Sequence, residues 1–242
     1  MTQSALVSDT AMVMAAGLGT RMRPLTDTMP KPLVQVSGKA LIDYSLDQLA
    51  QAGVARAVVN VHYLADPLEA HLATRAAPAI AVSDERELLL ETGGGMIKAH
   101  RTGLLPDPFY CVNSDNIWLD GPRDAFRELS EAWDPARMDA LLLVVRHHRA
   151  WNYTGMGDFH LDGEGRVSRR RPSRVAPFIY SGIQLVSHRL LRDAPDGAFS
   201  TNLLWSRAIA EGRLFGLVHT GDWFEVGEAA AIAPTEARLA SG

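Results

Sequence analysis

The 242-residue sequence lacks several features that would assign it to a particular class of protein. It has one cysteine, Cys111, so no disulfide can form within the chain. No apolar run reaches the roughly 18 residues of a membrane span, and the N-terminus has no signal-peptide pattern. We therefore expect a cytoplasmic protein with no membrane partner. Cys111 lies within an apolar run and is expected to be buried.

The chain also has no excess of positive charge. The chain has 24 Lys and Arg against 28 Asp and Glu, a net charge of −4, which argues against nucleic acid as a partner. The one basic cluster, Arg169 to Arg171 with Arg174, is interpreted as a solvated loop. Hydrophobic residues make up 47% of the chain, enough for the core of one domain over residues 1–242.

Two common phosphate-binding patterns are missing. The dinucleotide fingerprint needs a third glycine where this chain has Met22, and the Walker Gly-Lys-Ser/Thr is absent. Instead, an apolar strand pattern at residues 11–14 runs into AAGLGTRMRPLT at residues 15–26. Gly17 and Gly19 allow close approach of a ligand to the main chain, whose N–H groups can then face phosphate oxygens.

Cations follow this loop at short intervals. Arg21 and Arg23 offer planar forks of donors that suit phosphate. Lys31 lies between two prolines in PKPL at residues 30–33, so its backbone has little freedom. The glycines alone would be equally typical of a tight turn.

The whole run resembles the signature of the sugar-phosphate nucleotidylyltransferases, Gly-x-Gly-Thr-Arg-x-x-Pro-Leu-Thr followed by Pro-Lys-Pro-Leu, and matches it at each position. The resemblance implies a three-layer Rossmann-like, GT-A-like α/β fold with a mostly parallel central mixed sheet. It also implies Mg²⁺-dependent transfer of a nucleotidyl group from a nucleoside triphosphate to a sugar 1-phosphate, with release of pyrophosphate.

The order of apolar patterns independently favours an α/β fold. Helical spacing at residues 41–52, 65–74 and 122–133 alternates with strand patterns at 57–61, 79–82, 109–112 and 140–145. Ligands of parallel sheets bind at the carboxyl ends of the strands. Strand patterns at 157–161, 165–167 and 178–186 predict an antiparallel lid over this sheet.

A second motif, ETGGGMIKA at residues 91–99, places three glycines before a helical stretch. We expect an open helix N-terminus where a base or phosphate contacts backbone N–H donors. The alternative is that the glycines only form a flexible turn between two elements. In the resembled family this turn faces the base. The form Glu-Thr-Gly-Gly-Gly looks most like the branch that uses UTP and N-acetylmuramic acid 1-phosphate.

Two acidic positions are candidate metal ligands. Asp115 ends an apolar strand, where an aspartate often caps a turn, but the family's Asn-Gly-Asp pattern implies that it binds Mg²⁺, which takes few protein carboxylates. Ser114 replaces the usual glycine. Glu225 stands where relatives read Trp-x-Asp-Val-Gly-Thr, which implies the second Mg²⁺ ligand; pairing with an arginine is the alternative.

The resemblance assigns the remaining roles. Arg21 and Lys31 are the expected catalytic residues, with Arg21 on the β- and γ-phosphates and Lys31 between the α-phosphate and the sugar phosphate. Residues about 1–120 form the nucleotide-binding half, with the candidates Ala15, Ala16, Gly17, Gly19, Thr20, Arg21, Thr92, Gly93 and Asn113. Residues about 121–242 form the sugar-binding half, with the candidates Asp158, Tyr180, Ser181, Gly182 and Asn202.

Several alternatives stay open. Mannose 1-phosphate guanylyltransferase, glucose 1-phosphate thymidylyltransferase and phosphocholine cytidylyltransferase are close rivals. A non-catalytic, nucleotide-sensing relative is a rival of another class. We expect a monomer or a small homo-oligomer.

Overall fold

The computed structural model describes residues 5–241, so the two ends of the predicted domain lie outside the described residues. Six α-helices are Leu41–Ala52 (α1), Ala65–Leu72 (α2), Glu91–Arg101 (α3), Ala125–Ala132 (α4), Asn202–Ala210 (α5) and Ile232–Leu239 (α6). No helix in this range is long and apolar enough to cross a membrane.

The described residues also form fourteen β-strands. They are Thr10–Met14 (β1), Gln35–Val36 (β2), Lys39–Ala40 (β3), Arg56–Val61 (β4), Ala79–Asp84 (β5), Phe109–Asn113 (β6), Asn116–Leu119 (β7), Ala140–Arg146 (β8), Ala150–Trp151 (β9), Phe159–Leu161 (β10), Val167–Arg169 (β11), Phe178–Val186 (β12), Leu214–Val218 (β13) and Asp222–Glu225 (β14).

Nine of these strands form a central mixed sheet in the order β11-β10-β12-β6-β1-β4-β5, with β8 between β12 and β13. Strands β1, β4, β5 and β6 are parallel: Ala11 lies beside Ala57 on one side and Tyr110 on the other. Strand β12 is antiparallel to β6 and to β8. The predicted α/β fold with a mixed central sheet is confirmed.

The expected antiparallel lid is wrong. Strands β10, β11 and β12 extend the central sheet, because β12 pairs directly with β6, with Ile183 beside Val112. Six consecutive residues of β12, from Ser181 to Val186, are buried. Consecutive buried residues show that the strand is covered on both faces, whereas a lid strand would keep one face exposed.

Helices cover both faces of the sheet. Met12 and Val58 pack into the cluster that contains α3 and α5, whereas Val13 and Val59 pack into the cluster that contains α1, α2 and α4. Successive strand residues point to opposite faces, so each strand contributes to both cores. The result is the expected three-layer arrangement.

A separate three-stranded sheet, β7-β14-β9, lies after the parallel strands in the chain. It joins β7 to the distant β14, with Glu225 opposite Asn116. A third core cluster under it includes Met22, Ile117 and Phe224. This packing brings the loop after β1 close to the end of β14.

Candidate active site

The carboxyl ends of β1, β4 and β6 meet at one edge of the sheet and open into a cavity of about 380 Å³, the first cavity. It is lined by Met14, Ala15, Ala16, Gly17, Lys31, Pro32, Asn60, Leu89, Glu91, Thr92, Asn113, Ser114, Asp115 and Ser200. The structure therefore brings together residues from all three motifs found in the sequence. This is the location expected for a ligand of a parallel sheet.

The loop after β1 is fixed from beneath by a buried relay of hydrogen bonds. The backbone N–H of Ala15 donates to Asn60 Oδ1 at 2.7 Å, and Asn60 Nδ2 donates to Glu85 Oε1 at 2.9 Å. Glu85 is 1% exposed, and burial raises the pKa of its carboxyl above the usual value. Gly17 is exposed, and a Cβ added to it would contact nothing within 4 Å. The loop is thus anchored at its start and open towards the cavity.

Gly19 holds the position of Lys31. It has φ +63°, and an added Cβ would lie 2.9 Å from Lys31 Cβ. Its carbonyl accepts a hydrogen bond from Thr26 Oγ1 at 2.8 Å. Thr20 begins a turn of 3-10 helix, is exposed, and does not line the first cavity. Of the predicted nucleotide-binding residues, Gly19, Thr20, Arg21 and Gly93 therefore lie outside the lining of the first cavity.

Lys31 and Asp115 form an ion pair across the cavity, with 2.5 Å between Nζ and Oδ2. The Lys31 side chain is 11% exposed and that of Asp115 30%. The lysine ammonium is thus fixed next to Asp115, which lies in the turn between β6 and β7. A partly desolvated cation of this kind acts strongly on any anion that enters.

Ser114 strengthens the turn before Asp115. Its hydroxyl donates to the Met14 carbonyl at 2.8 Å, and its N–H donates to the same oxygen at 3.2 Å. The side chain is buried. The serine that replaces the family's glycine therefore links the ends of β1 and β6, and the turn still presents Asp115 to the cavity.

Glu225 approaches the same place from the small sheet. Because it lies opposite Asn116 in the β7–β14 pair, its carboxyl lies within electrostatic range of that of Asp115. Burial raises the pKa of Glu225, as does the Asp115 charge, whereas Arg21 and Lys31 lower it. Glu225 thus interacts electrostatically with the Asp115 carboxylate and with two cations.

Arg21 crosses towards the loop that follows β14. It is exposed, and a Cβ added at Gly227 would lie 3.0 Å from its Nη1. A side chain at position 227 would therefore displace the guanidinium. Gly227 was not predicted as a site residue, although its place two residues after Glu225 in a family motif was a usable signal.

The two carboxylates suit a cation that takes most ligands from elsewhere. Within residues 5–241 there is no group of three or more His, Cys, Asp or Glu side chains that could hold a metal ion. Mg²⁺ commonly uses one or two protein carboxylates and completes its shell with phosphate oxygens and water. Asp115 and Glu225 fit that requirement.

The expectation of an open helix N-terminus at the three glycines is wrong. The N–H groups of Gly93 and Gly94 both donate to the Phe199 carbonyl, at 2.8 and 3.2 Å. An added Cβ at Gly93 would lie 2.3 Å from the Phe199 ring, and one at Gly95 would lie 2.7 Å from Glu85 Oε1. The glycines allow close packing of the second half of the chain, which leaves Glu91 and Thr92 of this motif to line the first cavity.

Two further cavities continue from the first towards β10 and β12. A bridging cavity of about 210 Å³ shares Met14, Thr92, Asn113 and Ser200 with the first cavity. A third cavity of about 410 Å³, the basic cavity, is lined by Gly157, Asp158, Phe159, Arg169, Arg170, Tyr180, Asn202 and Trp205. It shares the last three with the bridging cavity, so the three form one path.

Three of the five predicted sugar-binding residues, Asp158, Tyr180 and Asn202, line the basic cavity. Ser181 does not: its hydroxyl is buried and donates to the Leu143 carbonyl at 2.8 Å. Gly182 has φ +85° and lies at a register shift of β12, where an added Cβ would be 2.3 Å from Asn116 Nδ2. Both residues therefore position β12 and lie outside the cavity lining.

The basic cluster is not simply a solvated loop, since Arg169 and Arg170 line the basic cavity. Arg171 and Arg174 are exposed and lie outside the lining. Trp205, Ser200 and Leu89 also line cavities without having been predicted. Their local sequence gave no signal, because each faces the site only through the packing of α3 and α5.

Several known proteins are similar to this chain in sequence. The sequence profile of the family described as nucleotidyl transferase matches residues 10–169. N-acetylmuramate alpha-1-phosphate uridylyltransferase from Caulobacter vibrioides is 46% identical, over 95% of this chain and 96% of the relative. The protein with the same description from Neisseria meningitidis is 34% identical, over 90% and 92%.

Among solved structures, the inositol-1-phosphate CTP transferase from T. maritima has a similar fold. The TM-score is 0.78, with 99% of this chain and 96% of that chain covered, and the sequences are 17% identical. This likeness supports the three-layer fold. It does not identify the substrate of this chain.

Proposed function

The chain belongs to the nucleotidyl transferase family, and we propose that it transfers a uridylyl group from UTP to N-acetylmuramic acid 1-phosphate, releasing pyrophosphate. The observation that carries this proposal is the Lys31–Asp115 pair at the carboxyl edge of the sheet, with Glu225 beside it. The sugar substrate and the base are proposed from the 46% identity to the Caulobacter vibrioides enzyme.

In the proposed reaction, an oxygen of the sugar phosphate attacks the α-phosphorus of UTP. A new P–O bond forms, the bond between the α-phosphorus and the α,β-bridging oxygen breaks, and pyrophosphate leaves with that electron pair. Such a transfer depends on alignment of two anions and on neutralisation of developing charge. Lys31 would supply a fixed cation between the α-phosphate and the incoming phosphate.

Arg21 would act on the leaving group. Its exposed guanidinium, which lies near Gly227, can bond the β- and γ-phosphates and then the departing pyrophosphate. The backbone of residues 15–17 would face the triphosphate from below, and Thr92 would border the base. Mg²⁺ held by Asp115 and Glu225 would supply neutralisation of charge on the phosphate oxygens.

The test is to combine each of four nucleoside triphosphates with the 1-phosphates of N-acetylmuramic acid, mannose and glucose and with phosphocholine. Pyrophosphate release is measured for each pair. We expect the highest kcat/KM for UTP with N-acetylmuramic acid 1-phosphate. A higher value for GTP with mannose 1-phosphate, or for another pair, would overturn the proposed substrates. Nucleotide binding with no pyrophosphate release from any pair would favour the non-catalytic alternative.

A further inference from the structure

The basic cavity carries two arginines that the proposed chemistry does not use. Arg169 Nη1 donates to Asn202 Oδ1 at 3.0 Å, and its Nη2 donates to the Asn202 carbonyl at 3.0 Å and to Ser206 Oγ at 3.2 Å. Arg170 Nη1 donates to the carbonyls of Arg171 and Arg174. All of these acceptors are neutral oxygens, and in residues 5–241 neither guanidinium forms an ion pair with a carboxylate.

The charge of this cavity is therefore positive. Asp158 also lines it, but its Oδ2 is held by the Tyr180 N–H at 2.9 Å, and the two arginines outnumber it. A guanidinium stays protonated at any ordinary pH, and its planar fork matches a carboxylate. A cavity with one charge in excess and its donors held in place is suited to a small organic anion.

Position decides which anion could enter. The path runs from the Lys31–Asp115 pair through the bridging cavity to Tyr180, Asn202 and Trp205. A sugar whose phosphate lies at Lys31 would extend along this path, with ring substituents directed at the basic cavity. N-acetylmuramic acid differs from N-acetylglucosamine by a lactyl ether on O3, which ends in a carboxylate.

We propose that Arg169 and Arg170 determine sugar specificity by binding the carboxylate of the substrate's lactyl group. This inference rests on the proposed function and deepens it. Asp158 accepts a hydrogen bond from a sugar hydroxyl or amide in the same cavity, and Trp205 packs against the ring. The two arginines touch the substrate away from the reacting phosphorus, so they affect which sugar is selected and leave the chemical step to Lys31.

The first experiment uses the unaltered protein and three sugar 1-phosphates: N-acetylmuramic acid, its lactyl methyl ester, and N-acetylglucosamine. A charge-assisted contact of this kind corresponds to about a 10- to 100-fold preference. We expect kcat/KM with UTP to favour the free acid over the methyl ester by that factor. Equal values for acid and ester would overturn the inference while leaving the proposed function intact.

The second experiment compares Arg170→Gln and Arg169→Gln with Arg174→Gln, a control that removes the same charge from an exposed side chain outside the cavity. We expect the first two variants to raise KM for N-acetylmuramic acid 1-phosphate about 10-fold or more, with kcat/KM for N-acetylglucosamine 1-phosphate unchanged. Unchanged discrimination in both variants would overturn the inference.

Folding is checked by UTP binding without sugar, which these substitutions should leave unaltered. Arg169→Gln removes bonds to α5, so if that variant fails to fold, Arg170→Gln and the methyl ester comparison decide. No turnover of N-acetylmuramic acid 1-phosphate by the unaltered protein would overturn the proposed function and this inference together.

Discussion

Replacement of Lys31 by alanine tests the proposed site most directly. The side chain is 11% exposed and its Nζ lies 2.5 Å from Asp115 Oδ2, so its charge has a fixed position. The substitution removes one positive charge from the point where the reacting phosphate would lie. It leaves the backbone of the loop, which is anchored through Ala15 and Asn60, without a changed contact.

The magnitude follows from the charge and its surroundings. Two unit charges about 4 Å apart interact by about 4 kcal/mol at an effective dielectric constant of 20. Asp115 already offsets part of the Lys31 field, which leaves about 3 kcal/mol for the transition state. Since about 1.4 kcal/mol corresponds to tenfold in rate, Lys31→Ala should lower kcat about 10²-fold or more.

The assay is pyrophosphate release at saturating UTP and sugar phosphate, with UTP affinity and thermal stability measured in parallel. Lys39→Ala is the matched control, because Lys39 also forms a short ion pair, 2.6 Å from Asp47, but is 36% exposed and lies outside the cavities. Lys39→Ala should keep nearly full turnover. If Lys31→Ala folds, binds UTP and keeps more than about a tenth of the turnover, the placement of the reacting phosphorus at Lys31 is wrong.

Three further outcomes are expected. Glu225→Ala should steeply raise the Mg²⁺ concentration needed for activity, whereas Glu225→Asp should keep most activity; an unshifted Mg²⁺ titration in Glu225→Ala would remove this residue from the metal site. Burial, with the charges of Asp124 and Glu128, raises the pKa of Asp120 from 3.8 to about 6. The protonated Asp120 carboxyl therefore stabilises the fold fully below about pH 3.8, and this contribution is lost as pH rises through about 6. Asp120→Asn should flatten the pH dependence of the free energy of unfolding in this window, as measured by urea unfolding. Ser114→Ala removes the bond to the Met14 carbonyl and should lower Tm by about 2–4 °C, and an unchanged Tm would contradict the structural role of this hydroxyl.

Features encoded by contiguous residues could be predicted from the sequence. The apolar runs of β1, β4 and β6 predicted parallel strands. A ligand was expected at the carboxyl ends of these strands, and Ala15, Asn60 and Asp115 line a cavity there. The local spacing of glycine, arginine and lysine likewise indicated a phosphate site. These inferences succeed because strand direction and loop chemistry depend on neighbours in the chain.

What the tertiary structure alone decided involves residues far apart in the sequence. The pairing of β7 with β14 brings Glu225 near Asp115, and the Phe199 carbonyl accepts the N–H groups of Gly93 and Gly94. A hydrogen bond to α5 holds Arg169 at the basic cavity. Local pattern could not predict these contacts, because a backbone donor or a guanidinium bonds whichever acceptor the packing presents. The sequence by itself thus determined the type of chemistry, and the packing of the two halves determined which side chains are free to take part.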